Sequence, residues 1–234
     1  MFPHVSFGQS FVNLDFEDAT IAPTPVGGWT YPADPTQCFP GWTVGGSGTV
    51  VSYNDLSLGA PAVDLMGPDF PNLVNYTPLE GCYSVLLQYF GFQFQPPSLS
   101  QTGFIPVGTK SIDFLVGSGR SDAAVTVNGV SIPMVPIPGG RLAGDVSVFA
   151  GTDAQLTIST PSSTGAASDW LYFDDVQFSP SAVPEPKAKI LFTMFVLLLS
   201  LRVNRSNTAL QRTVVGHRGC NRRASLPPSL SLGR

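Results

Sequence analysis

The chain has 234 residues with a net charge of −4, and only 12% of its residues are charged. The charge is divided unevenly: residues 1–182 carry 3 basic and 15 acidic side chains, whereas residues 183–234 carry 9 basic side chains and 1 acidic one. Because nucleic-acid binding needs a basic surface, this acidic body excludes nucleic acid as a partner. A body of roughly 180 residues can bury a core of its own. We therefore predict one folded domain over residues 11–180.

Short alternations of apolar and polar residues, bounded by turn residues, recur along the body and predict antiparallel strands. Asn128-Gly129 between two such runs predicts a two-residue type I′ hairpin. No helical pattern separates the strands, so we predict an all-β fold, a single antiparallel β-sandwich of jelly-roll type, rather than a βαβ arrangement. The predicted strands are residues 11–17, 49–53, 83–90, 111–116, 123–128, 130–135, 145–149, 155–160 and 170–178, with long loops at 21–41 and 161–169.

The two histidines, His4 and His217, both fall outside the predicted domain. This excludes Ser-His-Asp and Cys-His catalysis and His-ligated zinc within it. Phosphate-binding loops, dinucleotide fingerprints and nucleophile elbows are absent from the sequence as well. Catalysis would need two carboxylates, as in glycosidases, and a body with this many acids always offers some pair. We therefore predict a non-enzymatic protein, with a carboxylate-based polysaccharide hydrolase or lyase as the alternative.

An uncharged apolar run at residues 190–201 follows the body. It falls short of the roughly 20 residues that span a bilayer as a helix, and a buried or interfacial helix fits its length equally well. Extended to residues 188–203, with flanking basic side chains reaching the interface, it becomes a marginal membrane span. The basic cluster of Arg202 and Arg205 would hold the far end in the cytoplasm. The tail is thus predicted to contain a short hydrophobic helix.

The tail places a short motif, the apolar run and the basic cluster in a fixed order. The motif is Val183-Pro184-Glu185-Pro186. This order resembles the PEP-CTERM protein-sorting signal of Gram-negative bacteria, which a membrane protease called an exosortase recognises. The resemblance assigns the sorting signal to residues 181–203 and implies exosortase as a partner. It also implies an exported protein that enters the inner membrane transiently and is then released to the cell envelope or extracellular matrix.

Several segments of the body resemble uncharacterised PEP-CTERM proteins of verrucomicrobial type. Those proteins have a single β-sandwich similar to the galactose-binding-like carbohydrate-binding modules. The resemblance implies that the body is a structural or carbohydrate-binding module, with extracellular polysaccharide as its partner. The segments that carry the resemblance are residues 13–17, 40–43, 81–88, 100–103 and 171–178.

Both ends of the chain depart from the PEP-CTERM pattern. Residues 1–10 lack the apolar region of a secretory signal, but residues 5–9 resemble the end of one. We interpret residues 1–10 as the remnant of such a signal and expect the reading frame to begin further upstream. Residues 204–234 extend past the point where family members end. Their composition predicts a disordered basic extension, with binding to an acidic polymer or the membrane surface as the alternative.

Calcium is the metal that the acidic residues of the body suit best, because Ca²⁺ prefers oxygen ligands. In the galactose-binding-like sandwiches that the body resembles, the first and last strands come together and often hold a structural Ca²⁺. Asp174 interrupts an apolar strand face and therefore needs a partner. The resemblance thus implies a structural calcium site at Glu17, Asp174 and Asp175, although no cofactor is required. The alternative is that Asp174 or Asp175 accepts backbone hydrogen bonds at a strand end.

Cys38 and Cys82 are the cysteines of the body, and Cys220 lies beyond the apolar run. An even count in an exported domain is consistent with one disulfide between Cys38 and Cys82, and two buried free thiols are the alternative.

Three aromatic residues lie in or beside a Gly/Pro-rich loop: Trp29, Tyr31 and Trp42. Because aromatic rings stack on sugars, these three are candidate glycan contacts, while most other aromatics belong to the core.

Overall fold

The structure, a computed structural model, describes residues 9–22, 30–55, 61–68, 77–90, 95–117, 122–160 and 168–183. All of them lie in the first of the two units into which the chain divides, Met1–Pro184. In chain order the strands are β1 (Thr43–Gly45), β2 (Val50–Tyr53), β3 (Ala62–Met66), β4 (Ser84–Phe90), β5 (Ser98–Phe104), β6 (Ser111–Val116), β7 (Ala124–Val127), β8 (Val130–Ile132), β9 (Val135–Ile137), β10 (Arg141–Asp145), β11 (Asp153–Ser159) and β12 (Ser168–Ser179). The helices of the described residues are α1 (Pro35–Cys38) and a 3₁₀ turn at Ser147–Phe149.

The strands form two sheets, as a β-sandwich requires. A five-stranded sheet has the order β1-β5-β11-β7-β8, and a seven-stranded sheet has the order β2-β3-β4-β12-β6-β10-β9. The prediction of an all-β sandwich is confirmed. The prediction that the strands pair antiparallel was wrong for β2 and β3, which run parallel with Ser52 opposite Asp64.

One apolar core is built from side chains of both sheets, and it follows from the alternation in the strands. In β11 the side chains of Ala154, Leu156 and Ile158 are buried, while Asp153 and Gln155 are exposed. The seven-stranded sheet contributes Leu65, Leu87, Phe114 and Phe173, among others, to the same cluster. Burial of this apolar surface is the main force that holds the two sheets together.

The predicted hairpin is confirmed. Asn128 and Gly129 have φ values of 49° and 76° and connect β7 to β8, which pair antiparallel. The predicted strand at 130–135 is in fact two strands, because β8 belongs to the five-stranded sheet and β9 to the seven-stranded sheet. The chain changes sheets at Pro133, whose missing N–H cannot continue a ladder.

Two predicted strands are not strands. Residues 11–17 turn at Asn13 and Phe16, both with positive φ. Residues 145–149 contain the 3₁₀ turn, and the neighbouring strand is β10. Strands β1, β3, β5 and β10 were not predicted; β5 was missed because its sequence, SLSQTGF, is mostly polar and small. Tertiary pairing overrides such weak local preference.

The segment before β1 contacts both sheets although it is irregular. The Gln101 side chain on β5 binds the backbone of Val12 twice: Oε1 accepts from the amide N at 2.7 Å, and Nε2 donates to the carbonyl O at 3.0 Å. On the other side, the Phe11 ring lies 5.0 Å from that of Phe178 on β12. The first and last segments of the domain therefore meet, as the resemblance implied.

Candidate functional site

Side chains of the seven-stranded sheet alternate between the core and the opposite side, which we call the outer face. Along β3, Val63 and Leu65 belong to the core, while Asp64 between them points to the outer face. A second, smaller apolar cluster lies on the outer face and contains Met66, Leu86 and Tyr172, with Leu79 and Trp170 packed against it. Register places the polar members of this face beside these residues; they are Ser52, Asp64, Ser84, Gln88 and Asp174.

Asp64 is a fully buried carboxyl group on the outer face. Its Oδ2 accepts a hydrogen bond from the backbone N of Asp55 at 3.0 Å. Burial raises the pKa of Asp64 well above its usual value. The Ser52 hydroxyl and the Asp55 amide lower this pKa, and the negative charge of the Asp55 carboxylate raises it further. Ser52 is the register partner of Asp64 on β2, and its hydroxyl lies close enough to the Asp64 carboxyl to lower its pKa as a hydrogen-bond donor. Asp64 was not among the predicted site residues, although an acid inside the apolar strand Ala62–Met66 is a recognisable signal.

Asp174 is the second buried carboxyl group of the outer face, and it has the partners that its position requires. Its Oδ2 accepts from Ser84 Oγ at 2.7 Å and from Glu80 N at 3.1 Å, and its Oδ1 accepts from Asp175 N at 2.7 Å. Burial raises the pKa of Asp174 to about 7; the three donors oppose this rise, and the Glu17 carboxylate adds to it. Asp174 thus joins β12 to the turn before β4.

Asp175 belongs to a separate ion-pair network. Arg141 on β10 contacts Asp175 Oδ2 through Nη1 at 2.7 Å and Asp113 Oδ1 through Nε at 2.5 Å. Burial alone would raise the pKa of Asp175, but hydrogen bonds from Gln177 and Arg141 outweigh it and hold the pKa below its usual value. Asp175 has a φ of 48° at the irregularity where the register of β12 with β6 shifts. The network therefore stabilises this bulge.

The three carboxylates predicted to hold calcium all bind protein donors. Glu17 Oε1 accepts from Cys82 N at 2.8 Å and from Tyr83 N at 3.0 Å, while Asp174 and Asp175 have the partners given above. Over the described ranges, no three His, Cys, Asp or Glu side chains form a metal-ligating group. Protein donors use several oxygens of this trio, and the calcium site at these three residues stays a prediction. Calcium binding by the protein as a whole stays a prediction.

The three aromatic candidates have different environments. Trp42 is only 7% exposed, stacks on Phe16 at 5.4 Å and donates from Nε1 to Asn13 O at 2.9 Å, so it is a core residue and not the glycan contact that we predicted. Tyr31 is 46% exposed beside the edge of β2. Trp29 lies outside the described residues.

Trp170 on β12 is an aromatic residue that the sequence analysis assigned to a strand and not to a site. It is partly exposed on the outer face, where Gln88 of β4 is its register partner. Gln88 Nε2 donates to Asp55 O at 3.4 Å. The structure thus brings an aromatic ring, an amide and the Asp55 region together, a combination that only the register of three strands creates.

The structure contains Cys38 and Cys82 as free cysteines, so it does not form the predicted disulfide. Cys38 is buried in α1, which Asp34 caps by accepting from Thr36 N, whereas Cys82 is exposed. The alternative of two buried thiols is therefore right for Cys38 alone. Burial raises the pKa of the Cys38 thiol to about 12, with smaller contributions from Asp64 and Asp34.

The predicted sorting segment lies almost entirely outside the described residues. Val183 is described, but Pro184, Glu185, Pro186, the apolar run and the Arg202 and Arg205 cluster are not. Within the described part of the chain, no helix has the length and apolar character needed to cross a bilayer. The prediction for residues 184–234 therefore remains a prediction from the sequence.

No protein-family model and no curated protein matches this chain. Among solved structures, the enzymatically active domain of bacteriophage CBA120 tailspike protein 4 is similar with a TM-score of 0.34 and 14% identity, over 60% of this chain and 19% of that one. TmCBM61 in complex with β-1,4-galactotriose is similar with a TM-score of 0.27 and 18% identity, over 60% of this chain and 89% of that one. The chain thus spans about a fifth of the tailspike domain.

Proposed function

We propose that this chain is an exported, non-enzymatic β-sandwich that binds extracellular polysaccharide through its outer face. The observation that carries the proposal is the position of Trp170 beside Gln88. The ring of Trp170 packs on the apolar cluster of Met66, Leu86 and Tyr172, which holds its orientation while part of it stays exposed. A ring fixed in this way can stack on a pyranose at little cost in conformational entropy.

The polar groups beside Trp170 suit sugar hydroxyls. Gln88 has an amide that both donates and accepts hydrogen bonds, and its partner Asp55 O lies at 3.4 Å, long enough for a ligand hydroxyl to compete. Specific small-ligand sites combine an apolar surface with a few oriented polar groups in this manner. The net charge of −12 over residues 1–182 favours a neutral or cationic glycan over a polyanionic one.

The test is affinity electrophoresis of the purified chain in gels that contain the extracellular polysaccharide of the producing cells. We expect the polysaccharide to retard the wild type and the Trp170→Ala variant to lose at least tenfold in affinity. Tyr31→Ala is the matched control, because Tyr31 is exposed and lies beside the edge strand β2, whereas Trp170 is on the central strand β12. If the polysaccharide retards the wild type and Trp170→Ala equally and Tyr31→Ala loses affinity, the binding site lies in the loop that contains Tyr31 and not on the outer face.

A carboxylate-based hydrolase or lyase is the second candidate. The observation in its favour is that Asp64 and Asp174, both with raised pKa values, lie on the same sheet face, and acids in general acid catalysis have raised pKa values. Both carboxyls are 0% exposed, however, and a catalytic acid must reach its substrate. Release of new reducing ends from the polysaccharide, abolished by Asp174→Asn, would support this candidate over simple binding.

The tail supports export of this domain through the sorting pathway that its sequence resembles. In this proposal Val183, Pro184, Glu185 and Pro186 form the recognition motif, and the segment 188–203 holds the protein in the inner membrane until an exosortase processes it. Intact mass measurement of the extracellular protein tests this step. We expect the released form to lack the basic end, and an exosortase deletion or Pro184→Ala to leave the full chain with the cells. A full-length extracellular form in the wild-type strain would overturn the proposal.

A further inference from the structure

Two exposed valines lie on neighbouring loops at one end of the sandwich. Val107 is 83% exposed and Val148 is 82% exposed, the highest values among the large apolar side chains of the described residues. Val107 occupies the corner of a turn that Thr109 N closes by donating to Pro106 O at 3.2 Å. Val148 is the middle residue of the 3₁₀ turn Ser147–Phe149. Turn corners favour polar residues, so two exposed valines at one end indicate a contact surface.

Backbone hydrogen bonds join the two loops into one surface, which we call the valine tip and which consists of residues 105–110 and 146–152. Ile105 bonds to the second loop through both of its backbone groups. Its N donates to Thr152 O at 2.9 Å, and its O accepts from Gly151 N at 2.8 Å. The backbone therefore holds the two valines in place, and a contact made there orders few additional groups.

The folded domain ends beside the valine tip. Lys110 N donates to Ser179 O at 2.8 Å, and Ser111 Oγ donates to Ser181 O at 2.8 Å. Only six residues separate Ser181 from the apolar segment 188–203, and a fully extended chain of this length reaches at most about 25 Å. A membrane that contains this segment would therefore lie close to the end of the sandwich that carries the valine tip.

We propose, on the basis of the membrane step of the proposed function, that the valine tip contacts the lipid surface of the membrane that contains residues 188–203. Val107 and Val148 would enter the boundary between the headgroups and the acyl chains, where apolar side chains gain free energy by leaving water. The charged residues at and beside the tip are Lys110, Asp145 and Asp153. Because their charges do not sum to a positive value, we expect apolar contact to stabilise the complex and anionic lipid to be unnecessary.

The valine tip and the proposed glycan surface lie toward opposite ends of β12. Trp170 and Ser179 are nine residues apart on this strand, which corresponds to about 30 Å of extended chain. A domain that contacts lipid through the valine tip would thus present Trp170 on the side away from the membrane. One molecule could therefore bind polysaccharide and contact lipid at the same time.

The test is hydrogen exchange of the full chain with and without vesicles of phosphatidylcholine and phosphatidylethanolamine, measured by mass spectrometry. These lipids carry no net charge, so they do not attract the basic residues of 204–234. Co-sedimentation measures the fraction of the chain that the vesicles bind. In the bound chain we expect exchange in residues 105–110 and 146–152 to slow by at least about threefold, while exchange around Trp170 stays unchanged.

The double variant Val107→Ser with Val148→Ser separates the valine tip from the apolar segment. Both side chains are exposed, so the double variant should keep the Tm of the wild type. We expect it to sediment with the vesicles through residues 188–203 but to lose the slower exchange at the tip. Val107→Leu with Val148→Leu should retain the slower exchange. Tyr31→Ser, which changes an exposed residue outside the tip, is the matched control and should retain it as well.

The outcomes distinguish this contact from the membrane step of the proposed function. If the wild type sediments and exchange at the tip does not slow, or if the serine double variant keeps the slower exchange, the lipid contact of the valine tip is wrong and the membrane segment stands. If the wild type does not sediment with the vesicles, both the lipid contact and the membrane step are wrong.

Discussion

The carboxyl group of Asp174 makes the stability of the domain depend on pH. Its pKa is about 7 in the folded protein against 3.8 for an ordinary Asp, so the folded state keeps a proton that the unfolded state loses. Stability should therefore be highest near pH 4, fall as the pH rises to about 7, and level off above that. The acids whose pKa values are lowered, such as Asp175, titrate below this window.

Urea unfolding at pH 4.5 and pH 8 measures this effect. We expect the wild type to lose up to roughly 4 kcal/mol across the window, at about 1.4 kcal/mol per unit of pKa difference. Asp174→Asn carries no titratable group and should flatten most of the slope, although Asp64, which acts in the same direction, keeps part of it. A slope that is unchanged in Asp174→Asn would show that other groups cause it.

The two cysteines of the domain should react very differently. Cys82 is exposed and should react with a thiol reagent in the native protein. Cys38 is buried and its pKa is raised to about 12. Because only the thiolate reacts, Cys38 should be labelled only after denaturant has unfolded the protein. Peptide mapping after labelling without reductant checks both sites. Failure of both cysteines to react, even in denaturant, would mean that the predicted disulfide forms after all.

Single residues show what the sequence could and could not predict. That Asp174 needs a partner followed from its place in an apolar strand, and in the structure its donors are two backbone amides and the Ser84 hydroxyl. The identity of the partners, Ser84 and Glu80, could not be read because they lie about 90 positions away along the chain. Trp42 was assigned to a glycan site because it follows a Gly/Pro-rich segment, but its ring fills the core beside Phe16.

At the level of the elements, the β7–β8 hairpin depends on a left-handed glycine. Gly129 has a φ of 76°, and a Cβ added there would meet nothing within 4 Å, so the cost of a side chain is purely conformational. Gly129→Ala should lower the free energy of unfolding by about 1–2 kcal/mol, measured by urea denaturation. Ser131→Ala, an exposed position in the adjacent strand, is the control and should change it by under about 0.5 kcal/mol. Equal losses in both variants would contradict the conformational explanation.

The sequence predicted elements well where alternation is strong and poorly where it is weak. Strands such as β4, β6, β7 and β11 have clear alternation or apolar runs, and their predicted bounds lie close to the observed ones. Strand β5 was missed because Gln101 and Gly103 occupy two of its inward positions. A side chain at position 103 would collide with Phe11, so this inward position needs glycine for a reason that lies in another part of the chain.

At the scale of the whole molecule, Gln101 connects the first segment of the domain to the five-stranded sheet. Its side chain satisfies both the N–H and the C=O of Val12, which are 89 positions away along the chain. Gln101→Ala would leave both groups without partners in a partly buried place. We expect a loss of about 1–3 kcal/mol in the free energy of unfolding. Gln155→Ala on neighbouring β11 is the matched control, because Gln155 is exposed and should tolerate the change.

Protease sensitivity of the first segment gives a second readout for the same variant. In Gln101→Ala, cleavage near residues 9–22 should become faster while the sheets stay intact, because the segment loses its two hydrogen bonds to the Gln101 side chain. It retains the hydrogen bond from Phe104 N to Gln9 O and the contact between Phe11 and Phe178. Unchanged cleavage and stability would mean that this attachment contributes nothing.

By itself, the sequence determined the division into an acidic body and a basic tail, the all-β class, the β7–β8 hairpin and the absence of histidine chemistry from the body. These properties depend on composition and on neighbours within a few positions, which determine charge, alternation and turn geometry. The tertiary structure alone decided which acids are satisfied and which are not. Asp64 and Ser52 are neighbours because β2 and β3 pair in parallel register. Trp170 and Gln88 are neighbours because β12 and β4 pair in antiparallel register. Burial of the shared core determines which strands pair and in which register, and this cannot be read from the residues within a few positions of each other in the sequence.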